Sequence, residues 1–249
     1  MDIKEVLDLP VKSVVNKKLP KNQIQGKVDK KSSDILTKDV EGIYIYSVLN
    51  KSTSNIMPYQ NEDFNISEVM VLEVKLREIK NINTIRKIFH NIIPNPIILV
   101  LSYEGKIEIS VGMKRLNKND SMKVILGDIV LTKFIDLVNT ENYEKKFLEQ
   151  IKITSLPQLN LYELYKSLEN HIVLTKFFEV VDDYIVGVDK IDKALELLNK
   201  YEKFEEEINT YEKNKKAEAN FGRQMEWHVK IKKLEKKLDS LKEEMKGLC

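Results

Sequence analysis

The sequence predicts an α+β fold with a mainly antiparallel sheet and flanking helices, followed by a C-terminal helical region that ends in a coiled-coil-like helix pair. Between residues 42 and 132, runs of β-branched and aromatic residues alternate with polar turns, which is typical of strands. After residue 139, apolar residues recur at steps of three and four, which is typical of helices. We therefore expect two domains, an α+β domain at residues 1–155 and a helical region at residues 156–249.

Most of the predicted sheet comes from apolar runs in the first part of the chain. Residues 42–50 and 68–78 predict two strands, and the polar residues 51–66 between them predict a loop. Residues 96–115 predict a hairpin whose turn holds Gly105, because glycine tolerates the positive φ that tight turns require. Another apolar run, at residues 122–132, predicts one more strand.

Helical spacing of apolar residues predicts the other elements. Residues 83–92 form one predicted helix, which Pro94 ends, and Ser33 is expected to cap a short helix upstream. Residues 141–152 predict another helix, and so do residues 161–172, where Leu161, Leu164, Leu168 and Ile172 share one face.

The last sixty residues carry two heptad-like seams. The first seam begins near residue 189. When its alternating steps of three and four are continued beyond Tyr211, they do not reach Trp227. Either a turn within residues 214–222 lets two helices fold back on each other, or one long helix carries a stutter; we favour the hairpin. The second seam alternates steps of four and three and holds Trp227, Ile231, Leu234, Leu238, Leu241 and Met245. A helix so highly charged on its other sides needs a partner surface, in this chain or another, so we expect these residues to form a partner interface.

Composition excludes several classes of protein. The net charge of +2 comes from 41 basic and 39 acidic residues, which is unlike a nucleic-acid binder that is basic overall. With Cys249 as the one cysteine, the chain has neither a disulfide framework nor a cysteine zinc site. The N-terminus lacks the apolar core of a signal peptide, and no run is long enough to span a membrane, so we expect a cytoplasmic protein. We expect no cofactor, since the glycine-rich phosphate-binding motifs are absent.

One triplet suggests catalysis. Glu73-Val74-Lys75 on a predicted strand has the Glu-x-Lys form of restriction-type nucleases, in which the carboxylate binds a divalent metal and the lysine positions water. Such a site needs an acidic residue upstream, and Asp63 is the nearest candidate. The three histidines, His90, His171 and His228, have no metal-ligand spacing, and we expect each on a helix surface.

Lysines near the N-terminus suggest a second possibility. A phosphate-contacting arm could be formed by Lys17, Lys18, Lys21, Lys30 and Lys31. No aromatic residue interleaves with these lysines, which favours an ordinary solvated edge.

Three short segments carry a family resemblance. They are residues 16–21 (Asn-Lys-Lys-Leu-Pro-Lys), residues 101–106 (Leu-Ser-Tyr-Glu-Gly-Lys) and residues 221–226 (Phe-Gly-Arg-Gln-Met-Glu). The chain resembles a bacterial family known as a domain of unknown function, whose genes often lie beside helicase and DNA methyltransferase genes in restriction-modification-like or defence operons. The family often has Asn where this chain has Gly222, and it offers no established functional residues to carry over.

The resemblance and the seam together imply a non-catalytic accessory or assembly subunit of a DNA-processing, restriction or phage-defence system. Its expected partner is a helicase or methyltransferase subunit, or a second copy of the chain. Two alternatives stay open. One is a metal-dependent nuclease using Glu73, Lys75 and Asp63, and the other is a nucleic-acid-binding module using the N-terminal lysines.

Overall fold

The chain forms two compact units. The computed structural model describes residues 2–185 and 187–249, apart from the side chains of residues 121, 122 and 188. We call Met1–Val173 the first unit and Leu174–Cys249 the helical unit. The sequence predicts a boundary after residue 155, whereas the structure places it after residue 173. The intervening helix belongs to the first unit because Tyr165 is buried there, and its hydroxyl donates to Ile97 O at 2.8 Å.

Strands fill the middle of the first unit. They are β1 (Val14–Lys18), β2 (Val40–Leu49), β3 (Tyr59–Gln60), β4 (Asn65–Ile66), β5 (Val69–Leu76), β6 (Ile97–Tyr103), β7 (Lys106–Asn117), β8 (Asp120–Leu131) and β9 (Ile135–Asp136). The strands predicted at residues 42–50, 68–78, 96–115 and 122–132 correspond to β2, β5, the β6–β7 hairpin and β8. Sequence patterns missed β1, and they missed the short β3–β4 hairpin inside the stretch predicted as a polar loop.

Helices flank the sheet and make up the helical unit. They are α1 (Ile3–Val6), α2 (Lys21–Gln25), α3 (Lys30–Asp39), α4 (Lys51–Ser54), α5 (Ile82–Ile92), α6 (Asn142–Gln150), α7 (Leu161–Val173), α8 (Thr175–Val181), α9 (Ile191–Ala217) and α10 (Phe221–Lys246). The prediction that Ser33 caps a helix was wrong. Ser33 lies inside α3, and the cap is Asp29, whose Oδ1 accepts a hydrogen bond from Ser32 N at 3.0 Å.

The main sheet is mixed but mostly antiparallel, as predicted. Among the described residues its strand order is β1-β2-β5-β6-β7-β8, with β9 paired to β7. The exception to antiparallel pairing is β5 with β6, which are parallel and joined through α5. Parallel pairing brings the carboxyl ends of β5 and β6 to the same edge, where Lys75 lies opposite Ser102.

Alternation along β5 separates the apolar core from a polar face. Leu72, Val74 and Leu76 belong to the hydrophobic core that includes Ile85 and Phe89 of α5. Successive side chains of a strand point to opposite faces, so Glu73 and Lys75 lie on the face away from α5. The predicted alternation on this strand therefore places the Glu-x-Lys pair on one side of the sheet.

Four polar side chains of α5 and β7 are buried between these elements. Arg86 Nε and Nη2 each donate to a carboxylate oxygen of Glu108 at 2.8 Å, in a bidentate pair that solvent hardly reaches. Burial raises the pKa of Glu108, while Arg86 opposes that rise. One turn further along α5, His90 Nε2 lies 3.2 Å from Ser110 Oγ, and burial lowers the pKa of His90 to about 3. His90 is therefore a neutral core residue and not the surface residue expected from its sequence.

The helical unit contains a helix hairpin. Residues 218–220 interrupt the helix between α9 and α10, and Asn220 accepts a hydrogen bond from Arg223 N at 3.1 Å as the cap of α10. The helices run antiparallel, because Lys242, Lys237 and Lys230 of α10 approach the rings of Tyr201, Phe204 and Tyr211 of α9, in that reversed order. The hairpin alternative is thus the one observed.

The C-terminal seam is buried inside this hairpin. Ile231, Leu234, Leu238 and Met245 are each no more than 9% exposed. Trp227 and Leu241 are half-buried, and the Trp227 ring lies 5.3 Å from that of Tyr211, centroid to centroid. The partner surface that the seam requires is therefore supplied by α9 of the same chain. Coiled-coil packing in the strict sense stays a prediction.

The buried Arg86–Glu108 pair predicts a large loss of stability on removal of one partner. Arg86→Ala leaves the Glu108 carboxylate buried without its counter-charge, and we expect a loss of about 3–5 kcal/mol in the free energy of unfolding. Urea denaturation at neutral pH would measure it. The matched control is Lys118→Ala, which removes an exposed ion pair with Asp63 at 3.6 Å and should cost about 1 kcal/mol or less. If both changes lowered the free energy of unfolding equally, the Arg86–Glu108 pair would not be a buried, stabilising interaction.

The seam predicts that one substitution in α10 opens the hairpin. Leu238→Asp removes roughly 1.5–3 kcal/mol of apolar burial and adds a buried charge, so α10 should detach or melt while the first unit stays folded. Circular dichroism and limited proteolysis would show lost helicity and cleavage within residues 218–249. Lys236→Glu, at an exposed position of the same helix, should do neither. Unchanged helicity and protease resistance in Leu238→Asp would show that the seam is not buried.

Candidate functional site

The first unit has a cavity of about 610 Å³ on the polar face of its sheet. Side chains of β2, β5 and β6 and the turn between β6 and β7 line it. Its polar groups include Glu41, Tyr44, Glu73, Lys75 and Ser102. The cavity reaches the edge where the parallel strands β5 and β6 end, which is a common position for ligand sites in open sheets.

Strand register brings these groups together. Glu73 lies opposite Tyr44 on β2, and Lys75 lies opposite Ser102 on β6. Ser102 Oγ donates to Glu73 Oε1 at 2.8 Å, so the largely buried carboxylate is held in one orientation. Lys75 Nζ lies 5.3 Å from the centroid of the Tyr44 ring, within cation–π range. The cavity therefore presents a carboxylate and an ammonium group from the same strand face.

Another part of the cavity holds a tyrosine that is hydrogen-bonded to an acid. The Tyr46 hydroxyl donates to Asp2 Oδ1, just before α1, and both residues line the cavity. Burial raises the pKa of Tyr46, and the Asp2 carboxylate adds to the rise. Tyr46 is therefore a neutral hydrogen-bond donor at physiological pH.

The structure brings together two of the three residues suggested for a nuclease site. Glu73 and Lys75 line the cavity, but Asp63 does not, because it lies in the β3–β4 turn beside Lys118. One acidic side chain that does share the cavity with Glu73 is Glu41, at the start of β2. Sequence reasoning missed Glu41 because its position depends on how β2 pairs with β5.

Histidine, cysteine, aspartate and glutamate side chains are common ligands of protein-bound metal ions, and a site needs several of them close together. In residues 2–185 and 187–249 no such group of three or more has the arrangement to hold an ion. Like His90, His171 is buried, and burial lowers its pKa to about 4. His228 lies on α10 near its connection to α9, and its Nδ1 atom is 3.4 Å from Lys215 Nζ.

The N-terminal lysines divide into two sets. Lys21 is half-buried and donates to the carbonyl group of Val40, and burial lowers its pKa. Lys21 is therefore part of the packing around β2. The other four lysines are exposed, on β1 and at the start of α3: Lys17, Lys18, Lys30 and Lys31.

A second exposed surface lies on α10. Phe221, Met225 and Val229 recur at steps of four and are 74%, 45% and 50% exposed. At 100° per residue, these positions lie on the side of α10 opposite to Leu234 and Leu238. We call the three residues the outer stripe. Their spacing is visible in the sequence, but the stronger 4-3 pattern beside it hides the signal.

Across the described part of the chain, no helix has the length and apolar character needed to cross a membrane.

Comparisons with known proteins identify the family. No curated protein matches the chain, and no solved structure matches it. The model of one family, described as Domain of unknown function (DUF4391), matches residues 7–238. The match covers most of the chain, and the protein therefore belongs to the DUF4391 family.

Proposed function

We propose that the chain is a non-catalytic assembly subunit of a bacterial DNA-processing system of the restriction or phage-defence kind, and that it binds a partner protein through the outer stripe. The observation that carries the proposal is the outer stripe itself: three exposed apolar side chains on a helix whose inner seam is already buried. The link to DNA processing rests on the family resemblance, because genes of that family often lie beside helicase and DNA methyltransferase genes.

The outer stripe has the character of an interaction site. Isolated exposed apolar residues are common on protein surfaces, but three on one helix face form a continuous strip. A partner that covers Phe221, Met225 and Val229 would gain roughly 1.5–3 kcal/mol for each side chain that becomes fully buried. Helix faces with apolar residues at such spacing commonly dock in the groove of another protein.

Charge favours a different protein over a second copy. Lys232, Lys233 and Lys236 continue along α10 from the stripe, and all three are exposed. Two copies pairing through the same face in parallel would bring these lysines together, and like charges that meet at an interface oppose association. The proposed partner is therefore a helicase or methyltransferase subunit with an apolar groove.

The proposal predicts that one charge in the outer stripe disrupts assembly. The tagged chain is purified from its native host, and the bound proteins are identified by mass spectrometry. Met225→Glu should remove the helicase or methyltransferase subunit, because burying an unpaired carboxylate is costly. Ser240→Glu adds the same charge at an exposed site near the other end of α10 and should retain the partner. Retention by folded Met225→Glu, or absence of both enzymes from the wild-type preparation, would contradict the proposal.

A nuclease is the second candidate, and the observation in its favour is that Glu73, Lys75 and Glu41 share one cavity. In that function Glu73 and Glu41 would bind a divalent metal, and Lys75 would orient the attacking water. The hydrogen bond from Ser102 would hold Glu73 in place.

This second candidate makes a separate prediction. Purified protein with Mg²⁺ or Mn²⁺ should cut DNA or RNA, and Glu73→Gln should lower the rate at least about a hundredfold if the carboxylate is a metal ligand. Glu62→Gln, an exposed acid outside the cavity, should leave the rate unchanged. If none of the substrates is cut, or if Glu73→Gln and Glu62→Gln cut equally well, the cavity is not a nuclease site.

A further inference from the structure

Charge is segregated along the hairpin of the helical unit. Residues 211–237, which we call the hairpin tip, span the connection between α9 and α10 and hold nine basic and four acidic residues. The rest of the unit, residues 174–210 and 238–249, holds seven basic and thirteen acidic residues. The near-neutral composition of the chain therefore conceals one strongly positive end and one strongly negative region within the same unit.

Most of the positive charge at the tip is free to meet a ligand. Arg223 and Lys232 make ion pairs, with Glu218 and Glu235 respectively. In the part of the chain that the structure describes, six other basic residues of the tip are exposed and make no ion pair: Lys213, Lys216, Lys230, Lys233, Lys236 and Lys237. Because they are not neutralised within the chain, they create a positive potential over the tip.

Two local features of the tip determine where its ammonium groups are positioned. Lys230 Nζ lies 4.3 Å from the centroid of the Trp227 ring, and it also approaches Tyr211, so aromatic faces hold the ammonium group in place. On another side of α10, a cleft of about 440 Å³ is lined by Lys215, Lys216 and Lys232, and also by the acidic residues Glu212 and Glu235. Basic residues are thus presented on more than one side of the hairpin.

We propose that the hairpin tip binds the phosphate backbone of a nucleic acid without reading its sequence. The exposed lysines in the tip part of α10 lie within residues 230–237, a stretch of about 11 Å that matches about three base pairs of DNA. Phosphates recur along each DNA strand at steps of about 3.4 Å, so one strand can meet several of these lysines in succession. The ammonium groups that meet phosphates release condensed counterions, and this release drives binding.

The test uses the purified full chain and a fluorescein-labelled 20-base-pair DNA duplex, with the matching single strand as a second probe. Fluorescence anisotropy is measured over a range of salt concentrations. Lys230→Glu/Lys233→Glu should weaken binding at least about tenfold and lower the slope of log affinity against log salt by about two. The control Lys203→Glu/Lys246→Glu makes the same charge change outside the tip and should keep affinity within about twofold of wild type. Circular dichroism checks that each variant is folded.

Each result decides the inference. Steep salt dependence that is lost in the tip variant and kept in the control supports it. No binding to either probe at low salt overturns it, as does binding that the tip variant leaves unchanged. Binding lost instead in Lys17→Glu/Lys18→Glu would assign the contact to the N-terminal lysines and overturn it too. If DNA is not bound, and the tip variant purified from its native host loses a partner protein, the inference is overturned and the surface is a docking site for an acidic protein. The anisotropy assay contains no partner protein, so its outcome is independent of the proposed assembly function.

Discussion

Burial of the apolar seam between α9 and α10 decides what the helical unit can offer to other molecules. Leu234 and Leu238 pack inward, so the lysines and the outer stripe are turned outward. The charged surface alone would not keep two long helices together, because exposed ion pairs contribute little and α10 would be unstable by itself. Four buried apolar side chains therefore fix both the hairpin and the positions of its exposed residues. Partner and nucleic-acid binding, as proposed, both depend on that one packing.

In the first unit, the pairing of β5 plays the corresponding role. Its antiparallel neighbour β2 supplies Glu41 and Tyr44 to the cavity, and its parallel neighbour β6 supplies Ser102. Alternation then places Glu73 and Lys75 between these groups while the other side of the strand enters the core. The pairing of β5 therefore fixes both the apolar core of the first unit and the polar side of its cavity.

The sequence predicts those features that depend on local periodicity. Alternation in β5 and the steps of three and four in α10 repeat at the period of their own element, so they are visible without a structure. Features that depend on pairing were not predictable. Glu41 lines the same cavity as Glu73 only because β2 pairs with β5, and Asp63, the acid nearer in sequence, lies in the β3–β4 turn instead. His90 is buried because α5 packs on the sheet, and β1, with four of its five residues exposed, shows no alternation at all.

A cross-link can show whether the C-terminal seam is closed within one chain. Phe204 and Lys237 face each other across the hairpin, with Lys237 Nζ 5.2 Å from the ring centroid. In a Cys249→Ser background, cysteines at these two positions should be joined by a short bis-maleimide linker and give a cross-linked monomer. The control pair Phe204→Cys/Lys236→Cys places the second cysteine at an exposed neighbouring position of α10 and should cross-link less. A cross-linked dimer as the main product, at low protein concentration, would show instead that α10 pairs with another chain.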